Sequence, residues 1–337
     1  MPPRNNPLPF WIALLSIVTL TYCASAATDP ATGRGPQRRA KQSTKESKAL
    51  AHFTMGIIYD GEDKQAEALR QYKEALRLGP DISYIHTRLG ADYLLLEKRA
   101  EAAAEFKKAA ALDPSDSKPR FLMALLYTSE EKFDEAKAEY EAAIKIEPDS
   151  TLALSSLADL LVLQKKMEEA AAVYERLIEK EEDSGVLRFN LGAIYARLGN
   201  TGKALDNLER AVKLEPYSPW AHFLLATLYD DAKRTAEAAE EYRRTIELDP
   251  KFAEAYNGLA YLYAENGTDL DEAVGLAEKA IGMEPDNAAY IDTLGWAYYK
   301  KGMISQALPL LEKAAQLEPG EQEIAQHLQK ALEKAKQ

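Results

Sequence analysis

Four histidines are the side chains of this sequence best suited to metal ligation or proton transfer near neutral pH. His52, His86 and His222 stand at equivalent places of a repeated pattern, and His327 lies near the end of the chain. The sequence contains no His-Glu-x-x-His run and only one cysteine, Cys23, so zinc chemistry has no support. We therefore expect the histidines to pack between helices, and we predict neither a metal site nor a cofactor.

Other motifs that resemble catalytic or modification sites are also weak. Gly199-Asn200-Thr201-Gly202-Lys203-Ala204 imitates part of a phosphate loop, but it lacks the first glycine at the required spacing, the hydroxyl residue after lysine and a preceding strand. Carboxylate pairs such as Glu181-Glu182 are ordinary on exposed helices, and Asn266-Gly267-Thr268 is a short sequon match. No nucleophile, base or acid forms a recognisable group, so we predict that the protein is not an enzyme.

The elements that carry these residues repeat with a period of 34 residues. A proline closes each unit except the fourth, where Glu182 takes its place, and one unit is a residue longer. The closing prolines are Pro80, Pro114, Pro148, Pro216, Pro250, Pro285 and Pro319. A strict period of this length is typical of stacked helical units rather than of one globular core.

Within each unit, small and aromatic residues recur at helical spacing. Small residues stand at Gly56, Gly90, Ala124, Ala158, Gly192, Ala226, Ala260 and Gly295, and an alanine recurs at Ala68, Ala102, Ala136, Ala170, Ala204, Ala238, Ala273 and Ala307. An aromatic residue follows the first small residue by three positions in seven units, beginning with Tyr59. Spacings of 3, 4 and 7 residues put these side chains on one helix stripe, so each unit is predicted to be two closely packed helices and a proline-marked turn.

This pattern of Leu-Gly, Tyr, Ala, Tyr or Phe, Ala and Pro closely resembles the tetratricopeptide repeat (TPR) family from Ala49 to Pro319. The resemblance implies an all-α fold, a right-handed α-solenoid of about eight helix-turn-helix units with a C-terminal capping helix. The predicted units are 49–82, 83–116, 117–150, 151–184, 185–218, 219–252, 253–287 and 288–320, with the capping helix at 321–337. We call these units repeats 1 to 8.

The region before the repeats divides into two segments. Residues 1–27 have a positively charged start, an apolar centre at Phe10–Leu20 and an alanine-rich end, which predicts a signal peptide cleaved near Ala26 or Ala27. An uncleaved membrane anchor and a lipoprotein attached at Cys23 stay open as alternatives. Residues 28–48 are rich in Gly, Pro and Arg, and they are predicted to be a basic disordered tether.

The net charge of the sequence limits the classes of molecule that it is expected to bind. The formal net charge is −12, and residues 1–48 hold seven Lys/Arg and two Asp/Glu, which gives +5 there and leaves −17 for the rest. An acidic repeat array is a poor ligand for nucleic acid, whose phosphates attract Lys and Arg. We expect a protein or peptide segment, basic or neutral, and contact with a membrane only through the N-terminal segment.

In the TPR family, the first helix of each unit lines a concave groove. The residues of this sequence at the groove positions include Phe53, Tyr84, Phe121, Phe189, Trp220, Phe223, Tyr261, Trp296 and Tyr299. Aromatic side chains are frequent at protein contacts, so we predict that these nine form a protein-binding groove. The Lys and Asn partners of a carboxylate clamp, which some relatives use to hold a chaperone tail, are missing.

The leading hypothesis is therefore a non-enzymatic protein-interaction scaffold, exported to the periplasm or the cell envelope. By resemblance to exported bacterial repeat proteins, it takes part in the assembly of outer membrane, pilus or exopolysaccharide. The alternatives are a membrane-anchored assembly factor and a regulatory subunit of an enzyme complex.

Overall fold

The computed structural model describes residues 36–336, with side chains from Lys41 onward, as helices joined by short turns and without strands. The described part divides into an N-terminal body, which ends at Pro114, and a C-terminal body, which begins at Ser115. The helices of the N-terminal body are α1 (Pro36–Gly61), α2 (Gln65–Leu78), α3 (Ser83–Leu95) and α4 (Arg99–Leu112).

The C-terminal body contains six further helix pairs and a last single helix. Its helices are α5 (Lys118–Ser129), α6 (Phe133–Ile146), α7 (Thr151–Leu163), α8 (Met167–Lys180), α9 (Gly185–Arg197), α10 (Thr201–Leu214), α11 (Pro219–Asp231), α12 (Thr235–Leu248), α13 (Ala253–Asn266), α14 (Leu270–Met283), α15 (Ala288–Lys300), α16 (Ile304–Leu317) and α17 (Gln322–Ala335). The all-α class and the eight helix pairs predicted from the period are confirmed.

Small residues let the two helices of each repeat approach closely. All eight recurring alanines, from Ala68 to Ala307, are fully buried. At Gly56 an added Cβ would lie 2.5 Å from the ring of Tyr72, and at Gly295 it would lie 2.8 Å from Leu311. The small columns therefore form the helix interface, and the residue four positions after each alanine, which is large in every repeat except repeat 7 (Ala277), fills the space beside it.

A polar or apolar pair then joins the two helices of a repeat across a separation of 19 residues. His86 Nδ1 donates to Glu105 at 2.5 Å, and His222 Nδ1 donates to Glu241 at 2.5 Å. Arg120 donates to Glu139 at 3.0 Å in repeat 3. The equivalent pairs are His52–Gln71 in repeat 1 and Arg188–Asn207 in repeat 5. The equivalent positions hold apolar residues in repeats 4, 7 and 8, namely Leu154 and Val173, Tyr256 and Leu276 (20 residues apart in the longer repeat 7), and Ile291 and Leu310. Three of the histidines are thus packing residues.

Successive repeats of the C-terminal body are linked by the aromatic column. Tyr229 donates to Glu209 at 2.9 Å, and Tyr195 donates to Glu175 in the same way. In both cases the tyrosine lies on a first helix and the carboxylate lies on the second helix of the preceding repeat. Arg243 makes the equivalent contact with Tyr263 by donating to its hydroxyl.

The turn inside each repeat contains one residue with left-handed backbone. The position is occupied by Asp63, Glu97, Glu131, Lys165, Gly199, Lys233, Gly267 and Gly302, with φ between 55° and 77°. Only glycine adopts this conformation without steric cost, so the five charged residues there are strained. Repeat 7 carries the extra residue predicted from its length, and Asp269 adds a second positive φ of 43° to that turn.

The predicted disordered tether is wrong in its described part, because residues 36–48 belong to α1, which begins at Pro36. Proline is well placed in the first turn of a helix, and the Gln, Arg, Ala and Lys residues after it are good helix formers. Extending an existing helix also costs less than starting a new one. The predicted signal segment 1–27 and the tether up to residue 35 lie outside the described residues. None of the described helices has the length and apolar character needed to cross a membrane.

Candidate functional site

The first helices of the C-terminal body carry exposed apolar side chains at one recurring position. Leu152 on α7, Val186 on α9 and Trp220 on α11 are 61%, 53% and 58% exposed. They are spaced by 34 residues and occupy the second residue of their helices. We call these three residues the apolar row.

Local sequence sets the position of the row. Ser184 Oγ accepts from the Leu187 backbone N–H at 3.4 Å, and Ser218 Oγ accepts from that of Ala221 at 3.4 Å. Pro219 follows Ser218 at the start of α11, where its fixed φ favours the first helical turn. These caps begin α9 and α11 one residue before Val186 and Trp220, so both side chains lie in an exposed first turn.

An aromatic cluster supports the row at Trp220. The Trp220 ring lies 4.6 Å from Phe252 and 6.2 Å from Phe223, both in edge-to-face geometry. Phe223 in turn lies 6.0 Å from Tyr242. Phe252 is buried and Phe223 is half-buried, so Trp220 stands on a packed aromatic base while most of its own surface faces solvent. A rigid, exposed aromatic ring on a packed base is the usual form of an anchor for a protein partner.

Charge marks the two ends of the row. The equivalent position is Lys118 in repeat 3 and Glu254 in repeat 7, and both residues are exposed. Asp230 lies at the opposite, C-terminal end of α11; it is partly buried, and this burial raises the pKa of its carboxyl. The equivalent positions on either side of the apolar row therefore hold a cation on α5 and a carboxylate on α13.

At the C-terminal end, three of the predicted groove residues contact α17. Trp296 is only 2% exposed, because its ring is stacked between Tyr299 at 4.7 Å and His327 at 4.0 Å. His327 donates from Nδ1 to Asp292 at 2.7 Å, and the hydroxyl of Tyr261 donates to Glu323. Burial, followed by this hydrogen bond, raises the pKa of Tyr261. Trp296 is thus not an exposed anchor, since the last helix covers it.

The other six predicted groove residues are divided between the two bodies. In the N-terminal body, Phe53 and the exposed Tyr84 form an edge-to-face pair at 5.9 Å. In the C-terminal body, Phe121 packs against Tyr140 at 5.8 Å, and Phe189 is half-buried. Trp220 and Phe223 are brought together, whereas Phe121 and Phe189 stand apart from them. The nine predicted groove residues include neither Leu152 nor Val186, although both occupy the same position of the repeat as Trp220.

Two open clefts of the C-terminal body, of about 330 and 600 Å³, lie away from the apolar row. Second-helix residues such as Glu168 and Glu175 line the smaller cleft, and Lys137 and Arg176 are among those that line the larger one. Within residues 36–336, no group of three His, Cys, Asp or Glu side chains is arranged to hold a metal ion.

Family models described as tetratricopeptide repeat match residues 53–117, 121–186 and 195–262. Among solved structures, YrrB, a TPR protein with an unusual peptide-binding site, is 25% identical with a TM-score of 0.50 over 56% of this chain and 97% of its own. The APC/C hetero-tetramer Cut9–Hcn1 is 16% identical with a TM-score of 0.50, over 85% of this chain and 55% of its own. A tetratricopeptide repeat protein from Parabacteroides merdae is 18% identical with a TM-score of 0.49, over 74% and 98%. No curated protein matches the sequence significantly.

Proposed function

The chain belongs to the tetratricopeptide repeat family, and we propose that it is an exported scaffold that holds a segment of a partner protein on the first-helix face of its C-terminal body. Its repeats are a protein-interaction scaffold, because repeats of this family bind peptides or proteins and the family is generally non-catalytic. The apolar row is the observation that carries the choice of face.

Three exposed apolar side chains at one position of successive repeats offer a partner a source of binding free energy. Internal packing does not use most of their surface, so a partner that covers Leu152, Val186 and Trp220 gains hydrophobic free energy without disturbing the fold. Anchors of this kind, surrounded by more polar contacts, supply most of the affinity at typical interfaces. The peptide-binding site of YrrB supports a peptide segment as the ligand.

The charge of the chain favours a basic or neutral partner. Residues 49–337 carry −17, which attracts positive segments over a distance and raises the rate of association. Glu254, at the equivalent position of the next repeat, adds a negative charge on the first-helix face. Nucleic acid is disfavoured on the same ground.

Export rests on the N-terminal sequence. The charged start, the apolar centre and the alanine-rich end of residues 1–27 support cleavage near Ala26 or Ala27 and a place in the periplasm or cell envelope. Within the envelope, assembly of outer membrane, pilus or exopolysaccharide is the process that we propose. Mass spectrometry of the protein from its native cells is the test: a terminus near Thr28 agrees with cleavage, an intact Met1 in the membrane fraction indicates an anchor, and a lipid-modified Cys23 indicates a lipoprotein.

Binding is tested with Trp220→Ala and Leu152→Ala against the matched control Leu214→Ala, which removes an exposed apolar side chain at the end of a second helix. The partner is first captured by crosslinking to the wild-type chain, and its affinity is then measured for each variant. Loss of an anchor such as Trp220 is expected to weaken binding by about 2 kcal/mol, roughly thirtyfold.

Leu214→Ala is expected to change the affinity little. Equal losses in all three variants, with unchanged thermal unfolding, would move the binding site away from the apolar row.

A further inference from the structure

One exposed stripe of α1 runs along most of the helix. Its residues follow each other at intervals of three or four, which places them on the same side of the helix. The stripe consists of Lys41, Lys45, Lys48, Ala51, Met55, Ile58 and Glu62, the last lying in the turn directly after α1, and all seven are exposed. We call it the α1 stripe; the buried residues Ala49 and Gly56 lie on the opposite side, toward α2.

The α1 stripe contains exposed apolar surface and charged groups that can make further contacts. Met55 and Ile58 are 37% and 45% exposed. Within the described part of the N-terminal body, no acidic side chain forms an ion pair with Lys41, Lys45 or Lys48. Glu62 lies 2.7 Å from Lys64 through one carboxylate oxygen, so its second oxygen is available to another cation.

The order of residues along the stripe is self-complementary. When two such helices are placed antiparallel and centred between Ala51 and His52, Lys41 faces Glu62 of the other copy, and Lys45 and Lys48 face Ile58 and Met55. The smallest side chain of the stripe, Ala51, is then at the crossing point, where helices approach most closely. Lysine stems cover apolar surface while their charges reach water, so Lys45 and Lys48 can pack on the partner's apolar residues.

We propose that a second copy of this chain packs on the α1 stripe, which gives a symmetric dimer through antiparallel α1 helices. Such an interface is isologous, because every contact occurs twice. The contact extends from Lys41 to Glu62, about 30 Å of helix. A parallel arrangement is disfavoured, because it would place the three lysines of one copy against those of the other. An anionic membrane is also a poorer partner, because Glu62 and the acidic repeats would be repelled by it.

The test is a charge-swap cycle read by sedimentation equilibrium of the full chain. Lys41→Glu alone sets two acids against each other, and Glu62→Lys alone sets two lysines against each other, so each is expected to raise the dimer dissociation constant roughly tenfold. The double variant, Lys41→Glu with Glu62→Lys, is expected to restore the wild-type value. Lys107→Glu, an exposed charge change on α4, serves as the matched control with no expected effect.

Two results would overturn the proposal. The first is a chain that stays monomeric at all concentrations, and the second is a dimer whose dissociation constant does not respond to the swaps. Met55→Ser with Ile58→Ser is measured beside them, since it removes the apolar part of the stripe and leaves the charges in place. Binding to phosphatidylglycerol vesicles that Lys41→Glu abolishes, without any dimer, would assign the stripe to an anionic lipid surface instead.

Discussion

The first and the last helix of the described chain end their bodies in different ways. The last helix, α17, buries Ile324, His327 and Ala331 and turns mostly polar side chains outward. The first helix, α1, buries Ala49 and Gly56 but leaves Met55 and Ile58 exposed. A repeat needs a neighbour on each side to bury its apolar surface. The chain supplies that neighbour at its C-terminal end, whereas α1 keeps a surface that another molecule can cover.

Both ends contain buried polar groups, and at each end some of these groups lack a partner within the described part of the chain. At α17, His327 and Asp292 form a hydrogen bond of 2.7 Å under the covering helix, while Asp292 Oδ1 and Trp296 Nε1 have no partner among the described residues. Near α1, Asp60 accepts from Tyr72 at 2.5 Å and also from Arg88, while one oxygen of Asp60 and one of the buried Asp92 lack a partner. Burial, followed by the neighbouring Asp60, raises the pKa of Asp92 to about 7. The N-terminal body therefore contains a carboxyl group that titrates near neutral pH.

The largest expected loss of stability comes from removal of α17, the helix that covers the last repeat. Truncation after Gly320 deletes α17 and exposes Trp296, Leu311 and Ile291, which are now buried. At about 1.5–3 kcal/mol for each large apolar side chain, the C-terminal repeats are expected to lose roughly 5 kcal/mol. Urea unfolding followed by circular dichroism measures the loss. Deletion of residues 1–35, which precede α1, is the matched control and should leave the transition in place.

The second effect concerns Asp92. Its raised pKa means that the folded state binds a proton between about pH 4 and pH 7 that the unfolded state has already released. The contribution of Asp92 to the stability of the N-terminal body is therefore most favourable below pH 4. It becomes less favourable as the pH rises to about 7. The fall is expected to be on the order of 3 kcal/mol.

Asp92→Asn keeps the shape of the side chain and removes the titration. Its free energy of unfolding should depend less on pH between 4 and 7 than that of the wild-type chain. Glu101→Gln, an exposed acid on α4, is the control. Parallel pH profiles for the wild-type chain and Asp92→Asn would contradict the assignment.

A third, smaller difference between the ends lies in the helix contacts. Gly56→Ala brings the new methyl group against the rigid ring of Tyr72, whereas Gly295→Ala meets the flexible side chain of Leu311. We expect Gly56→Ala to cost about 1–3 kcal/mol and Gly295→Ala to cost less, because Leu311 can move aside while alanine favours the helix. Thermal unfolding of the two variants tests the order. A larger loss for Gly295→Ala would mean that Tyr72, and not Leu311, adapts more readily.

The smallest expected change in stability comes from the left-handed residue in the turn inside each repeat. Lys165 has a φ of 59°, so Lys165→Gly is expected to raise the stability by about 0.5–1 kcal/mol. Gly199→Ala makes the opposite change at the equivalent position and should lower it by a similar amount. A shift of the same sign in both variants would show that turn strain does not control this position.

The period and its columns were enough to predict the helix pairs, because helical spacing and buried small residues follow directly from the repeated sequence. The position of Trp296 could not be predicted in the same way. Its burial depends on His327, which lies 31 residues later on a helix with no counterpart in the repeat pattern. The nine predicted groove residues are all aromatic and therefore omit Leu152 and Val186, although both are equivalent to Trp220 in the repeat. The start of α1 was missed because composition alone does not show that a helix extends from a packed neighbour.

The hydrogen bonds from His86 to Glu105 and from His222 to Glu241 each lie within a single repeat. The hydrogen bonds from Tyr195 to Glu175 and from Tyr229 to Glu209 instead join one repeat to the next. A gene duplication or deletion of one whole repeat would therefore carry each histidine together with its carboxylate. Any mismatch would fall on the carboxylate that faces the junction tyrosine, because the tyrosine ring itself is buried whereas Glu175 and Glu209 are partly exposed. A change of length by whole repeats would thus keep the pairs inside each repeat, and later substitutions should collect at the residues that face the junction tyrosines.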